Sequence, residues 1–300
     1  MSKKIFMAGV GGMLGEAFQH VFQTTHELRC TDKDVNADWL SFLDFRDRDE
    51  YARQVESFAP DYLFHIGAHT SLELCEQEID DAYATNTLGV ENAVWIANRL
   101  DIPMLYISTA GIFDGRQETY DDWDQPNPLG HYARSKYMGE RFVVENARRY
   151  LVCRAGWMMG AGPAKDKKFI QKLMLQLKAG AKELKVVDDK LGTPTYTRDF
   201  ARQVGALVEH EYWGLYNMVC QGVTSRLEVA QYLVKALGKE HEIAVTPVNS
   251  DYFAKEYFAP RPPSERLLTK KLDLRGINLM RDWRVCLDEY LAEFYTGYLD

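Results

Sequence analysis

The sequence predicts an α/β fold, a doubly wound parallel sheet with a smaller C-terminal α/β lobe. Three observations lead there. The chain opens on a short apolar run, Ile5-Phe6-Met7-Ala8, that breaks into glycines at positions 9, 12 and 15. Strand-like and helix-like segments then alternate through the first half, the pattern of a parallel sheet with right-handed crossovers. The length of 300 residues, with 46% hydrophobic content, suits one ordinary α/β domain plus a smaller lobe, with a core that needs no disulfides.

The opening run reads as a buried parallel strand. Gly9 lets the chain turn sharply off it, Gly12 lets backbone N–H groups approach a pyrophosphate at a helix N-terminus, and Gly15 lets that helix pack on the strand. A glycine-rich turn also joins strands to helices without binding anything. Here the helical spacing of apolar residues in Glu16–Phe22 and the strand Glu27–Thr31, ending in Asp32, favour a Rossmann-type dinucleotide loop. Gly9, Gly12, Met13, Leu14 and Gly15 are its expected cofactor-binding residues. Asp32, about 20 residues past the loop, is placed for the adenosine ribose hydroxyls.

Further strands are expected at Leu63–Ala68, Pro103–Ser108 and Tyr150–Arg154, and long helices at Asp80–Leu100 and Pro128–Arg149. In the second half, Gly160–Lys168 reads as a loop, Phe169–Leu177 as an amphipathic helix, Thr193–Asp199 as the lead into another helix, Val245–Pro263 as irregular, and Trp283–Tyr298 as a terminal helix. The expected division is a dinucleotide-binding domain at 1–156, with a segment returning near 194–219, and a lobe made of 157–193 and 220–300. Ligands of such folds bind in the crevice outside the carboxyl ends of the strands.

A net charge of −8 argues against nucleic-acid binding, which leaves a basic footprint. The five cysteines are far apart, with no Cys-x-x-Cys, which fits reduced thiols and offers no zinc site. No signal-peptide pattern and no apolar run of membrane-spanning length is present. A cytoplasmic protein without membrane or nucleic-acid partners is expected. His65 and His69 bracket a strand end, but no acidic or thiol partner stands at ligand spacing. They read as packing and cofactor-lining groups, and no metal is expected.

Tyr132 and Lys136 form the only Tyr-x-x-x-Lys pair in the chain. Four-residue spacing on a helix puts both side chains on one face, where an ammonium would lower the phenol pKa towards one suited to proton transfer. Alone, the pair is no more than an exposed helix face. Thr109, at the end of the strand where a nicotinamide would lie, supplies a hydroxyl for a substrate carbonyl. Glycine loop, Asp32, Thr109 and the Tyr–Lys pair, in the expected order, together favour a functional site over separate structural features.

Through most of its length the chain resembles the extended short-chain dehydrogenases/reductases, and more narrowly the dTDP-4-dehydrorhamnose reductase family. The matching segments are Ala8-Gly9-x-x-Gly12-x-x-Gly15, Leu43-Asp44-Phe45-Arg46-Asp47, Pro60–His65, Asn86-Thr87-x-Gly89, Tyr106-Ile107-Ser108-Thr109, Phe113-Asp114-Gly115, Pro128-Leu129-Gly130-x-Tyr132-x-x-x-Lys136, Arg154-Ala155-Gly156-Trp157, Asp189-x-x-Gly192-x-Pro194-Thr195 and Arg261-Pro262-x-Ser264. The resemblance implies NADPH or NADH as cofactor and a nucleotide-linked 6-deoxy-4-keto-sugar as substrate. Tyr132 would donate the proton, Lys136 would hold the nicotinamide ribose, and Thr109 would bind the reacting oxygen. Asp44 and Phe45 would lie near the adenine, and Ala68, His69 and Asn86 along the cofactor path. Trp157 would border the sugar.

The sequence departs from the family pattern at Ala110-Gly111, Gly130 and Lys190, which bears on the identity of the sugar. Asp32 favours NADH by repelling a 2′-phosphate, whereas Lys33 or Arg46 would accept one. Arg261, between two prolines, is the first choice for the substrate diphosphate, ahead of Arg226 and the Lys165/Lys167/Lys168 group. A homodimer is allowed for. Two other readings stay open: an epimerase or reductase of another sugar nucleotide, and a non-catalytic NADP-binding subunit similar to the regulatory subunit of methionine adenosyltransferase.

Overall fold

The computed structural model describes residues 2–299. In chain order the strands are β1 (Lys4–Ala8), β2 (Glu27–Asp32), β3 (Leu40–Phe42), β4 (Tyr62–His65), β5 (Met104–Thr109), β6 (Tyr150–Ala155), β7 (Trp157–Met159), β8 (Glu183–Val187), β9 (Leu191–Gly192), β10 (Pro194–Tyr196), β11 (Gly214–Asn217), β12 (Thr224–Ser225) and β13 (Ala244–Val248). The helices are α1 (Met13–Phe22), α2 (Arg48–Phe58), α3 (Leu72–Gln77), α4 (Ile79–Tyr83), α5 (Gly89–Leu100), α6 (His131–Asn146), α7 (Gly162–Lys165), α8 (Phe169–Lys178), α9 (Thr197–Glu209), α10 (Arg226–Ala236), α11 (Lys270–Arg275) and α12 (Trp283–Phe294).

Seven strands form one sheet in the order β11-β6-β5-β4-β1-β2-β3, all parallel. The order reverses between β1 and β4, which opens the crevice at the carboxyl ends of both. Successive residues of β1 point to opposite faces. Ile5 and Met7 enter a core with Phe18, Phe64, Leu105 and Phe200, while Phe6 and Ala8 enter another with Leu63, Val94, Tyr106 and Val143. Three small two-stranded sheets, β7 with β10, β9 with β12, and β8 with β13, build the rest. No described helix is long and apolar enough to cross a membrane. All five cysteines are free and buried.

Three segments differ from the sequence-based expectation, the first being 160–168, expected as a loop, which contains the short helix α7. Residues 244–248, expected to be irregular, form β13, parallel to β8. Pro247 disguises this strand, but a proline fits where it need not donate to a neighbour, at a sheet edge. The expected helix over 80–100 is broken by a π-helical turn at Ala84–Leu88. Such a turn inserts one residue into a helix and occurs frequently at functional sites.

Candidate active site

Two glycines of the first loop meet steric demands, and the third faces open space. Gly9 has φ +76°, and a Cβ there would stand 2.1 Å from Gly67 Cα. A Cβ on Gly15 would stand 2.1 Å from the Val10 carbonyl oxygen, so this glycine lets α1 close onto the loop. At Gly12 nothing lies within 4 Å of the Cβ position, and the space before α1 is open. Met13 and Leu14 begin α1. First-turn N–H groups have no intrahelical acceptor and carry the positive end of the helix dipole. Open space before such donors fits a pyrophosphate.

Asp32 stands beside the loop, accepting N–H bonds from Gly11 at 2.7 Å and Asp34 at 2.9 Å. Lys33 is exposed next to it. Arg46, considered for a 2′-phosphate, is already engaged. It forks onto Asp44 and reaches Asp81 at 2.6 Å, holding the Asp44 carboxyl below the usual range. Phe45 lies edge-on to His65, ring centroids 4.6 Å apart, and fills the room left by Gly67 and Gly89. The cation that does reach the loop is Lys165, whose Nζ donates to the Gly11 carbonyl at 3.1 Å and to Asn36 Oδ1 at 3.2 Å. The sequence grouped it with a lysine-rich loop, because nothing local ties position 165 to position 11.

Past β4 the chain continues through Gly67 and Ala68 to His69, and Asn86 fixes this stretch. Its side chain accepts the His69 N–H at 2.8 Å and donates to the His69 carbonyl and to Ser135 Oγ. Asn86 therefore clasps the His69 loop to α6, and the π-helical turn aims it there. His69 Nδ1 is 2.9 Å from Cys75 Sγ. Its ring also gathers with Glu78 and Asp81, all three ligand atoms within 4.8 Å of one another. Acidic and thiol neighbours thus do surround His69, brought by α3, α4 and the Glu78 between them; Asp81 is held by Arg46. Buried His65 bonds the Tyr51 hydroxyl and is held neutral, its pKa lowered to about 3 by burial and by the Lys136 charge.

Thr109 ends β5, and Tyr132 and Lys136 lie in the first turns of α6. Gly130 caps α6 without a side chain. Glu76 supplies the missing acceptor, taking the His131 N–H at 2.6 Å from the position a Cβ on residue 130 would crowd. Lys136 is 3% exposed, and its Nζ donates to the Ile107 carbonyl at 2.7 Å. Burial lowers its pKa to about 7. The Tyr132 phenol is raised to about 12, chiefly by burial and further by the Glu265 charge, while the Thr109 hydroxyl facing it pulls the other way. The expectation of a lowered phenol pKa is therefore reversed. Desolvation acts on both groups, and the ammonium is turned to a backbone carbonyl.

Trp157 stands at the other side. Gly192 makes room for it, since a Cβ there would fall 2.2 Å from the indole. Its Nε1 donates to Glu265 Oε2 at 2.6 Å, and the Arg226 guanidinium stacks on its face at 3.7 Å. Arg226 also covers Phe169 and, among the described residues, has no carboxylate within ion-pair distance. Arg261 is instead paired with Glu73 at 2.7 Å, and its carbonyl accepts from Lys190. Sequence reasoning missed Glu265 altogether. Its one signal was indirect, the small residues at 110–111 that leave space for a side chain from elsewhere.

The sequence profile described as RmlD substrate binding domain matches residues 3–296. Over 97% of this chain and 86% of the relative, the sequence is 30% identical to a dTDP-4-dehydrorhamnose reductase of Mycolicibacterium smegmatis. It is 29% identical to the spore coat polysaccharide biosynthesis protein SpsK of Bacillus subtilis over 97% of each. Among solved structures, the dTDP-4-dehydrorhamnose reductase of Bacillus anthracis, in complex with NADP, superposes with a TM-score of 0.89 at 27% identity, covering 98% of this chain and 100% of that one. With a glycine loop, a Thr–Tyr–Lys set and this similarity along nearly its whole length, the chain belongs to the RmlD substrate-binding domain family.

Proposed function

We propose that the protein is an NAD(P)H-dependent reductase acting on the C4 ketone of a nucleotide-linked 6-deoxy-4-keto-sugar, first of all dTDP-4-dehydro-L-rhamnose, which it converts to dTDP-L-rhamnose. The observation that carries this reading is the meeting of Thr109, Tyr132 and Lys136 at the carboxyl edge of the sheet, in a chain whose relatives bear that enzyme name.

The open space at Gly12, between Gly9 and Gly15 and before Met13 and Leu14, suits the cofactor pyrophosphate. Asp32 suits the adenosine ribose, with Asp44 and Phe45 on the adenine side. Ala68, His69 and Asn86 border the way to the nicotinamide. Lys33 and Lys165 are the cations near the ribose end, so NADPH is tolerated beside NADH despite Asp32. When bound, the reduced nicotinamide supplies a hydride. Thr109 and Tyr132 hold the ketone oxygen, and Tyr132 gives its proton to that oxygen as the electron pair arrives there. A phenol raised to about 12 is fully protonated at neutral pH, the form an acid needs. Lys136, near 7, is poised to take up charge as phenolate forms and to hold the nicotinamide ribose. Trp157 borders the sugar. Arg226, unpaired and stacked, is the stronger diphosphate candidate. Arg261 would have to leave Glu73 to contribute. In this reading residues 157–193 and 220–300 form the substrate lobe over 1–156 and the returning 194–219.

The test is NADPH and NADH oxidation with the keto-sugar generated in situ, comparing wild type with Tyr132→Phe. Loss of an acid costs about 10²- to 10⁴-fold in rate. Oxidation by wild type with dTDP-L-rhamnose formed, and its collapse in the variant, is the expected result. Measurable cofactor binding without oxidation refutes the reading and moves the weight to another keto-sugar or to a regulatory role.

A further inference from the structure

Glu265 lies on a firmly held segment. Ser264 Oγ donates to the Glu118 carbonyl at 2.6 Å. The Glu265 N–H donates to the Leu191 carbonyl at 2.8 Å, and Tyr120 and residues 266 and 268 exchange backbone bonds. Its carboxylate is fixed at one oxygen by the Trp157 indole. The other, Oε1, has no hydrogen-bond partner among the described residues. It stands 3.2 Å from where a Cβ on Gly111 would lie, and Thr109 Oγ1 stands 3.5 Å from the same point. The space over Gly111 is thus walled by the Thr109 hydroxyl and by a carboxylate oxygen with nothing to accept.

Holding Trp157 does not account for this arrangement, because any neutral acceptor would do that. Glu265 is only half-buried, and a carboxylate oxygen engaged by no other side chain is ready to accept from a ligand. The nearby cation, Arg226, is stacked on the indole face and not paired with it. The Thr109 hydroxyl faces the Tyr132 phenol, so the space that hydroxyl shares with the Glu265 carboxylate over Gly111 adjoins the reacting group. A ligand that brings a hydroxyl to that space meets a ready acceptor.

We propose that Glu265 is a substrate-binding residue that selects the sugar, its Oε1 accepting a hydrogen bond from the hydroxyl on the carbon next to the ketone. This rests on the nucleotide-sugar reading above. With the ketone oxygen between Thr109 and Tyr132, a 6-deoxy-4-keto-hexose offers one vicinal donor, the C3 hydroxyl. The other neighbouring carbon bears the ring oxygen and the methyl group. The residue pair Ala110-Gly111 is then the complement of Glu265, since a side chain at 111 would press on Oε1.

The experiment is calorimetric titration of the NADP⁺-saturated protein with three probes: dTDP, dTDP-L-rhamnose and its 3-deoxy counterpart. A hydrogen bond to a charged group is worth about 10- to 100-fold in affinity. Wild type is expected to prefer dTDP-L-rhamnose to the 3-deoxy compound by that factor. In Glu265→Ala the preference falls below about 3-fold, with dTDP affinity retained. Glu265→Gln, which keeps an acceptor for Trp157, shows the same change to a smaller degree and guards against misfolding of the alanine variant. Equal preference in wild type and both variants, or no preference in wild type, overturns the role of Glu265. A wild type that gains nothing from the sugar relative to dTDP, or binds neither, overturns the nucleotide-sugar reading as well, and the wild-type titrations alone tell the two failures apart.

Discussion

Replacing Lys136 by methionine should stabilise the cofactor-free protein at neutral pH while removing a pH dependence that the wild type carries. The Lys136 ammonium is buried, makes one hydrogen bond, to the Ile107 carbonyl, and is lowered to about 7 by burial, with Glu140 opposing. An unfolded lysine titrates near ~10.4. Between these values the unfolded chain holds a proton that the folded chain has released. Stability therefore rises with pH there, by about 1.4 kcal/mol per pH unit. Below about pH 7 both states hold the proton, the slope vanishes, and the full cost of burying the charge remains. Methionine is unbranched like lysine, one atom shorter, and carries no charge. It forfeits the bond to Ile107, a pH-independent loss of about 1 kcal/mol. Across the window the ionisation difference amounts to roughly 4 kcal/mol, so the charge outweighs the bond at pH 7 and no longer does near pH 10. Urea unfolding of both proteins at intervals from pH 6.5 to 10 reads this directly, since other titrating groups cancel in the difference. The wild-type deficit should shrink steadily above pH 7.5. Parallel stability curves would refute the burial argument and, with it, the account of Lys136 as a charge held ready for the cofactor.

Gly15→Ala should weaken both fold and cofactor binding, because its Cβ would meet the Val10 carbonyl; overpacking of this kind costs about 1–3 kcal/mol, read by urea midpoint and by NADPH fluorescence titration. Arg226→Ala should raise KM for the sugar nucleotide about 10- to 100-fold with little change in kcat, and more than Arg261→Ala, whose guanidinium is already neutralised by Glu73. The reverse order would return the diphosphate to Arg261.

What was legible in the sequence was local. Gly9, Gly12 and Gly15 each answer a need set within a few residues or by one adjacent strand, and Tyr132 and Lys136 are related by a helix turn. What was hidden depended on distance. Glu265 meets Trp157 across 108 positions, and Lys165 meets Gly11 across 154. Strand β13 pairs with β8 some sixty residues earlier, and its proline argued against a strand until the edge position was known. The Tyr132 pKa was misjudged for a related reason. Spacing shows that an ammonium is near, but not that both groups are desolvated or that the ammonium is directed at Ile107.

The π-helical turn at Ala84–Leu88 has a consequence for how this region can vary. Each residue of an α-helix turns the chain by about 100°, so one inserted residue shifts the angular phase of everything beyond it. Within the turn, Asn86 faces the His69 loop; downstream, Val90, Ala93, Val94 and Ala97 face the core. A regular helix through the same sequence would satisfy one of these orientations and rotate the other out of place. Losing the extra residue would thus release the clasp on the His69 loop or expose an apolar stripe. Substitution at an outward position such as Trp95, which is 43% exposed and carries only the Arg48 and Arg99 guanidinium groups on its ring, is expected to cost less than any change in length.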